Sequence, residues 1–125
     1  MKKVVVVLVL LFAASTVTVF AQSIDGKWLD SNWNAVWEIS ASLSVSGVNM
    51  NVRLLDSKDG SLIYNFANMT QNRSLTMEGL NAVLSFDCAA TGRSYRFSSN
   101  LPGTNLTMLI KRTNQPDYTV NMAKQ

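Results

Sequence analysis

Histidine is absent from this sequence of 125 residues. That removes Ser-His-Asp and Cys-His catalysis, and with them the commonest zinc ligand sets. Cysteine occurs once, at Cys88, so the chain can form no internal disulfide and its core must hold by packing. Proline occurs twice, at Pro102 and Pro116, each among turn-forming neighbours, so no strand-forming run is broken. Tryptophan occurs three times, at Trp28, Trp33 and Trp37, and nowhere beyond. No thiol pair and no nucleophile motif replaces the missing histidine, so the sequence reads as non-enzymatic and without a cofactor.

A long apolar run is present only at the start. Lys2 and Lys3 precede Val4 to Ala14, and Val19-Phe20-Ala21 supplies a small-residue exit. This is the pattern of a secretory signal peptide, residues 1–21, followed by one small domain, residues 22–125. It predicts an exported protein, periplasmic or secreted, and the Met-Lys-Lys start suggests a bacterial source. The alternative is that residues 4–21 stay as an uncleaved anchor, against which Ser15, Thr16 and Thr18 count. No cysteine lies near the cleavage point, so a lipoprotein anchor is missing. Without Lys2 and Lys3 the eleven basic residues fall to nine, against eight acidic. A domain so close to neutrality has no electrostatic reason to hold nucleic acid, and none to enter a membrane once the signal is removed.

Beyond residue 22 the apolar period is two. Trp37, Ile39, Ala41, Leu43 and Val45 alternate with Glu38, Ser40, Ser42 and Ser44, as a half-buried antiparallel strand requires. Met50-Val52-Leu54, Leu84-Phe86-Cys88, Leu106-Met108-Ile110 and Tyr118-Val120-Met122 repeat the pattern. Turn signals separate these runs, among them Ser46-Gly47, Asp59-Gly60, Thr70-Gln71-Asn72, Thr91-Gly92 and Leu101-Pro102-Gly103. The spacing predicts strands over 24–30, 34–46, 48–56, 61–67, 73–79, 82–88, 94–98, 105–112 and 118–123. The fold class is therefore all-β, an antiparallel up-and-down meander of about eight to nine strands that closes, or nearly closes, into a barrel to remove its edges. A sandwich, with the long second strand serving two sheets, is the alternative.

Gly26-Lys27-Trp28 opens the first strand of this meander. A Gly-x-Trp in that place resembles the lipocalins and the wider calycin group, and the chain looks like the small lipocalin-like domains that bacteria export. The resemblance implies that Trp28 closes one end of the barrel and that a basic side chain from the last barrel strand packs across it. Arg112, ending the strand of Leu106, Met108 and Ile110, is the residue so implied. The chain departs from the pattern in being short and in lacking disulfides and a C-terminal helix.

Several residues could carry chemistry. The tryptophans could form an aromatic platform for sugars or apolar ligands. Trp28 and Trp37 fit the core better, whereas Trp33 lies at the first turn and could be exposed. Met50, Met77, Met108 and Met122 share the apolar phases, where methionine either lines an adaptable cavity or fills gaps. Phe66, Phe86, Tyr95 and Phe97 add bulk, which predicts a small cavity or none. Glu38, Glu78 and Asp87 sit on polar phases, and nothing pairs two of them across a substrate as a glycosidase needs. Asp56 and Asp59 read as a turn, Cys88 as a buried thiol, and Arg73, Arg93 and Arg96 as a solvated face. Asn68, Asn72 and Asn105 head glycosylation sequons, which matter only in a eukaryotic source.

The leading expectation is an exported binding protein with a small apolar or amphipathic ligand inside the barrel. The lining would be Trp33, Trp37, Met50, Phe66, Met77, Phe86, Tyr95 and Phe97. The alternative is an interaction module, a hydrolase inhibitor or envelope accessory protein, that meets a secreted or envelope protein through loops. Trp33, the Asn68–Asn72 turn and the Leu101-Pro102-Gly103 turn would then make the contacts.

Overall fold

The computed structural model describes residues 23–67, 69–100 and 102–125. Residues 1–22, which include the expected signal peptide, lie outside the described residues, as do Asn68 and Leu101. Nine strands follow in chain order: β1 (Gly26–Asp30), β2 (Ala35–Ser44), β3 (Gly47–Asp56), β4 (Leu62–Asn65), β5 (Thr70–Glu78), β6 (Asn81–Cys88), β7 (Arg93–Ser99), β8 (Asn105–Arg112) and β9 (Tyr118–Lys124). They form one antiparallel sheet in the order β4-β3-β2-β1-β9-β8-β7-β6-β5. The protein is all-β, a curled meander that makes a half-barrel.

The alternation explains the ladder. In the β2–β3 hairpin Trp37 faces Leu54, Ile39 faces Val52 and Ala41 faces Met50, so the apolar residues share the inner face. On the outer face Lys27, Glu38 and Arg53 stand in one row across β1, β2 and β3. The Glu38 carboxylate accepts from Arg53 Nε at 2.7 Å and lies 3.8 Å from Lys27 Nζ. β2 outruns β1, because Gly26 already pairs with Ile39. The Asp25 carboxylate takes the amide of Ala41 at 2.8 Å where no strand is left to do so.

The sheet joins its first and last strands, β1 and β9, and opens instead between β4 and β5. Counting directions along the ladders, β4 and β5 run in the same sense. To pair them would need a parallel ladder, and parallel neighbours need a crossover of about a dozen residues or more. The link here spans residues 66–69 only, with the Met69 amide donating to the Phe66 carbonyl at 3.1 Å in a tight turn. β4 is thus a free edge, uncharged, with Leu62 and Ile63 both exposed. β5 is an edge protected by a bulge between Gln71 and Ser74, where Asn72 takes a φ of 54°. The Thr70-Gln71-Asn72 signal therefore marks this bulge inside a strand and not a turn before one. An asparagine that tolerates positive φ serves either purpose.

Side chains close what the backbone leaves open. Phe66 enters the core from the β4–β5 link and meets Tyr64, Tyr95, Trp37 and Phe86, with ring centroids 4.6, 5.1, 5.7 and 5.9 Å away. Phe97 adds contacts to Trp37 and Phe86. From β5, Arg73 Nη1 donates to the Val48 carbonyl of β3 at 3.3 Å across the open side. Replacing Phe66 by alanine leaves a cavity at the seam and is expected to cost about 3–5 kcal/mol of stability. Urea unfolding measures it, and a cost under about 1 kcal/mol would show that Phe66 does not hold the seam.

Candidate functional site

At the end of β1 the alternation turns a carboxylate inward. Asp30 shares the phase of Trp28 and is fully buried. A buried carboxylate must be hydrogen-bonded, and two donors meet it. The Asn32 amide donates to Oδ1 at 3.0 Å. The Tyr118 hydroxyl lies 3.0 Å from each carboxylate oxygen, from the first residue of β9. The same hydroxyl accepts from Asn32 Nδ2 at 3.2 Å. Burial, and then the Asp30 carboxylate beside it, push the Tyr118 phenol above its ordinary value of 10.0.

This network fixes the β1–β2 turn. Asn34 adopts a φ of 52°, and its carbonyl accepts the Ser57 amide of the β3–β4 turn at 3.0 Å. Trp33 then lies flat on Tyr118, with centroids 4.3 Å apart and planes 14° off parallel. It is the exposed tryptophan, at 40%. Arg112 donates from Nε and Nη2 to the Pro116 carbonyl at 3.0 and 2.8 Å, bracing the β8–β9 turn.

The remaining expected site residues separate from Trp33. Trp37, Phe66, Phe86, Tyr95 and Phe97 are buried and packed on one another, and Met50 is half-buried against that cluster. Met77 shares the inner phase of Ala82 and Leu84 but is 38% exposed, so it is corrected from an interior residue to an edge residue. Among the described strands β5 pairs with β6 alone. Arg112 does not cross Trp28. The cation there is Lys124 of β9, whose Nζ lies 5.3 Å from the ring centroid. Trp28 itself is fully buried, and its Nε1 donates to the Ile24 carbonyl at 2.8 Å. Gly26 lets the lysine pass. A Cβ there would stand 2.8 Å from Lys124 Cε, and the φ of 141° already favours glycine.

Open grooves mark the surface formed by the described residues. One of about 340 Å³ lies over the outer face of β6, β7 and β8, with Asp87 and Lys111 among its lining. One of about 420 Å³ runs beside Asp25 and Met50, and one of about 210 Å³ beside Arg93 and Arg112. Asp87 accepts from Asn72 Nδ2 at 2.8 Å and Ser94 Oγ at 2.7 Å, which holds its carboxyl below the usual range. Glu78 is ion-paired with Arg96. Among the described residues no group of three or more His, Cys, Asp or Glu gathers to hold a metal ion.

Comparison with known proteins found no matching family model, no matching curated protein and no matching solved structure. The site therefore rests on its own geometry.

Sequence reasoning placed Trp33 but missed its support. Asp30 was readable, since it is the residue two beyond Trp28 on the same face. Tyr118 as its partner was not, because 88 positions separate the two.

Tyr118→Phe keeps the ring and removes the hydroxyl, leaving the Asp30 carboxylate short of a donor, at an expected cost of about 1–3 kcal/mol. The raised phenol also sets a pH dependence. Its stabilisation is present below pH 10 and is lost as pH rises through the folded-state value. A pH titration of tryptophan emission should show Trp33 released above that value in the wild type and no such transition in Tyr118→Phe.

Proposed function

We propose that this chain is an exported, non-enzymatic binding module that engages its partner at the end of the half-barrel carrying Trp33. One observation supports this reading most. Trp33 is an exposed indole held in one orientation by a stack on Tyr118, which is in turn bonded to the buried Asp30. An aromatic anchor already fixed before contact loses little conformational freedom on binding, which is what strengthens a small interface. The interior, by contrast, is occupied by ring-on-ring contacts among the residues that would line a ligand cavity. Export is supported by the residues of the N-terminal segment alone.

A second reading keeps a small ligand inside. It is favoured by the buried Nε1 of Trp37, which has no hydrogen-bond partner among the described residues. Such a donor in the middle of a core calls for an acceptor.

Native mass spectrometry of the protein purified from its host separates the two. Under the first reading, a mass carried by the wild type disappears in Trp33→Ala and survives in Trp37→Phe. The reverse pattern would overturn the first reading in favour of the second. Circular dichroism of both variants confirms that each is folded.

A further inference from the structure

We infer that the partner taken at Trp33 is a neutral glycan, a statement that rests on reading the Trp33 end as the binding surface. One face of the indole is covered by Tyr118, and Tyr118 is its one ring contact among the described residues. The residue keeps 40% exposure beside that stack, so part of the fixed ring meets solvent. A flat, rigid, solvent-exposed aromatic ring matches the C–H face of a pyranose ring. The sugar's hydroxyls then point sideways and need donors and acceptors around the ring.

The two loops that meet at the stack supply those groups. The β1–β2 turn is Ser31, Asn32, Trp33 and Asn34, and the β8–β9 turn is Thr113, Asn114, Gln115, Pro116 and Asp117. Amides offer a donor and an acceptor on one side chain, and hydroxyls do the same on one atom. Asn34 and Asn114 both sit at positive φ, 52° and 58°, which sets these amides at tight bends. Two of these polar side chains are already bonded, Asn32 to the Tyr118 hydroxyl at 3.2 Å and Thr113 to the Gly92 carbonyl at 3.3 Å.

The same composition argues against other partners. The centre of a protein interface is depleted in charge but rich in apolar side chains around its anchor. Residues 31–34 and 113–117 hold no aliphatic side chain beyond the proline ring. An anionic polymer needs free cations. Neither loop has a lysine or arginine, and Arg112 beside them is committed to the Pro116 carbonyl. The adjoining β3–β4 turn contributes one charge of each sign, Lys58 and Asp59. The surface is polar, nearly neutral and centred on a ring.

The test titrates the protein purified from its host with three tetrasaccharides: β-1,4-linked glucose, α-1,4-linked glucose and β-1,4-linked N-acetylglucosamine. Trp28 and Trp37 are buried, so a change in tryptophan emission on binding reports Trp33. At least one sugar should shift the emission and release heat in calorimetry. Its affinity should not change between low and high salt, because no phosphate-like charge is being neutralised. Trp33→Ala should weaken binding about tenfold or more, and Trp33→Phe should restore part of it. Equal binding by Trp33→Ala would overturn the inference by placing the sugar elsewhere. Silence from all three sugars would overturn it as well. In that case loss of a carried mass in Trp33→Ala would leave the Trp33 end as a binding surface for a protein, whereas no loss would remove both.

Discussion

The structure depends on a rule of direction. Nine strands that alternate along a ring must leave one neighbouring pair running in the same sense. This chain uses its β1–β9 contact for an antiparallel ladder and leaves the mismatch at β4 and β5. A link of four residues cannot convert that mismatch into a parallel ladder. The seam is closed by side chains instead, chiefly Phe66, with Arg73 reaching the Val48 carbonyl beside it. Around the seam the interior is filled by the rings of Phe66, Trp37 and Tyr95, and the exposed Trp33 lies apart from that filling.

The β1–β9 ladder also decides where that function can sit. It is short, pairing Trp28 with Lys124 and Leu29 with Ala123. β9 nevertheless reaches a tryptophan at each of its ends. Lys124 lies over Trp28 at one, and Tyr118 under Trp33 at the other. The first contact covers a core residue and the second presents a surface one. Both join parts of the chain far apart in sequence, so a single pairing holds the ends of the sheet and orients the candidate site.

Much of this was legible in the sequence. Period-two alternation marked five runs, and the turn signals divided the chain into the nine segments that are strands. Alternation reports a face, however, and not a neighbour. It placed Met77 on the inner side correctly but could not show that β5 is an edge strand, where Met77 stays 38% exposed. Asn72 carried a turn signal because the residue that tolerates positive φ in a turn also tolerates it in a bulge. Lys124 stands in phase with Val120 and Met122. It was missed as the cation over Trp28 because the last strand was ended one residue early and the resemblance directed attention to Arg112. Trp33 was singled out by its place at a turn, while the buried acid and the distant tyrosine that hold it needed the fold.

Native-state amide hydrogen exchange tests the account most directly, and the amide of Asn32 is the one to follow. It lies in an exposed turn, where an amide ordinarily exchanges by local fluctuation. Its bond to Asp30 makes it part of the β1–β9 junction. The account predicts that this amide is protected to the same level as the β1 and β9 amides, while amides on the free edges of β4 and β5 exchange well before them. Fast exchange at Asn32, together with equal protection of β4 and β5, would contradict it: the seam would lie elsewhere and Trp33 would not be held.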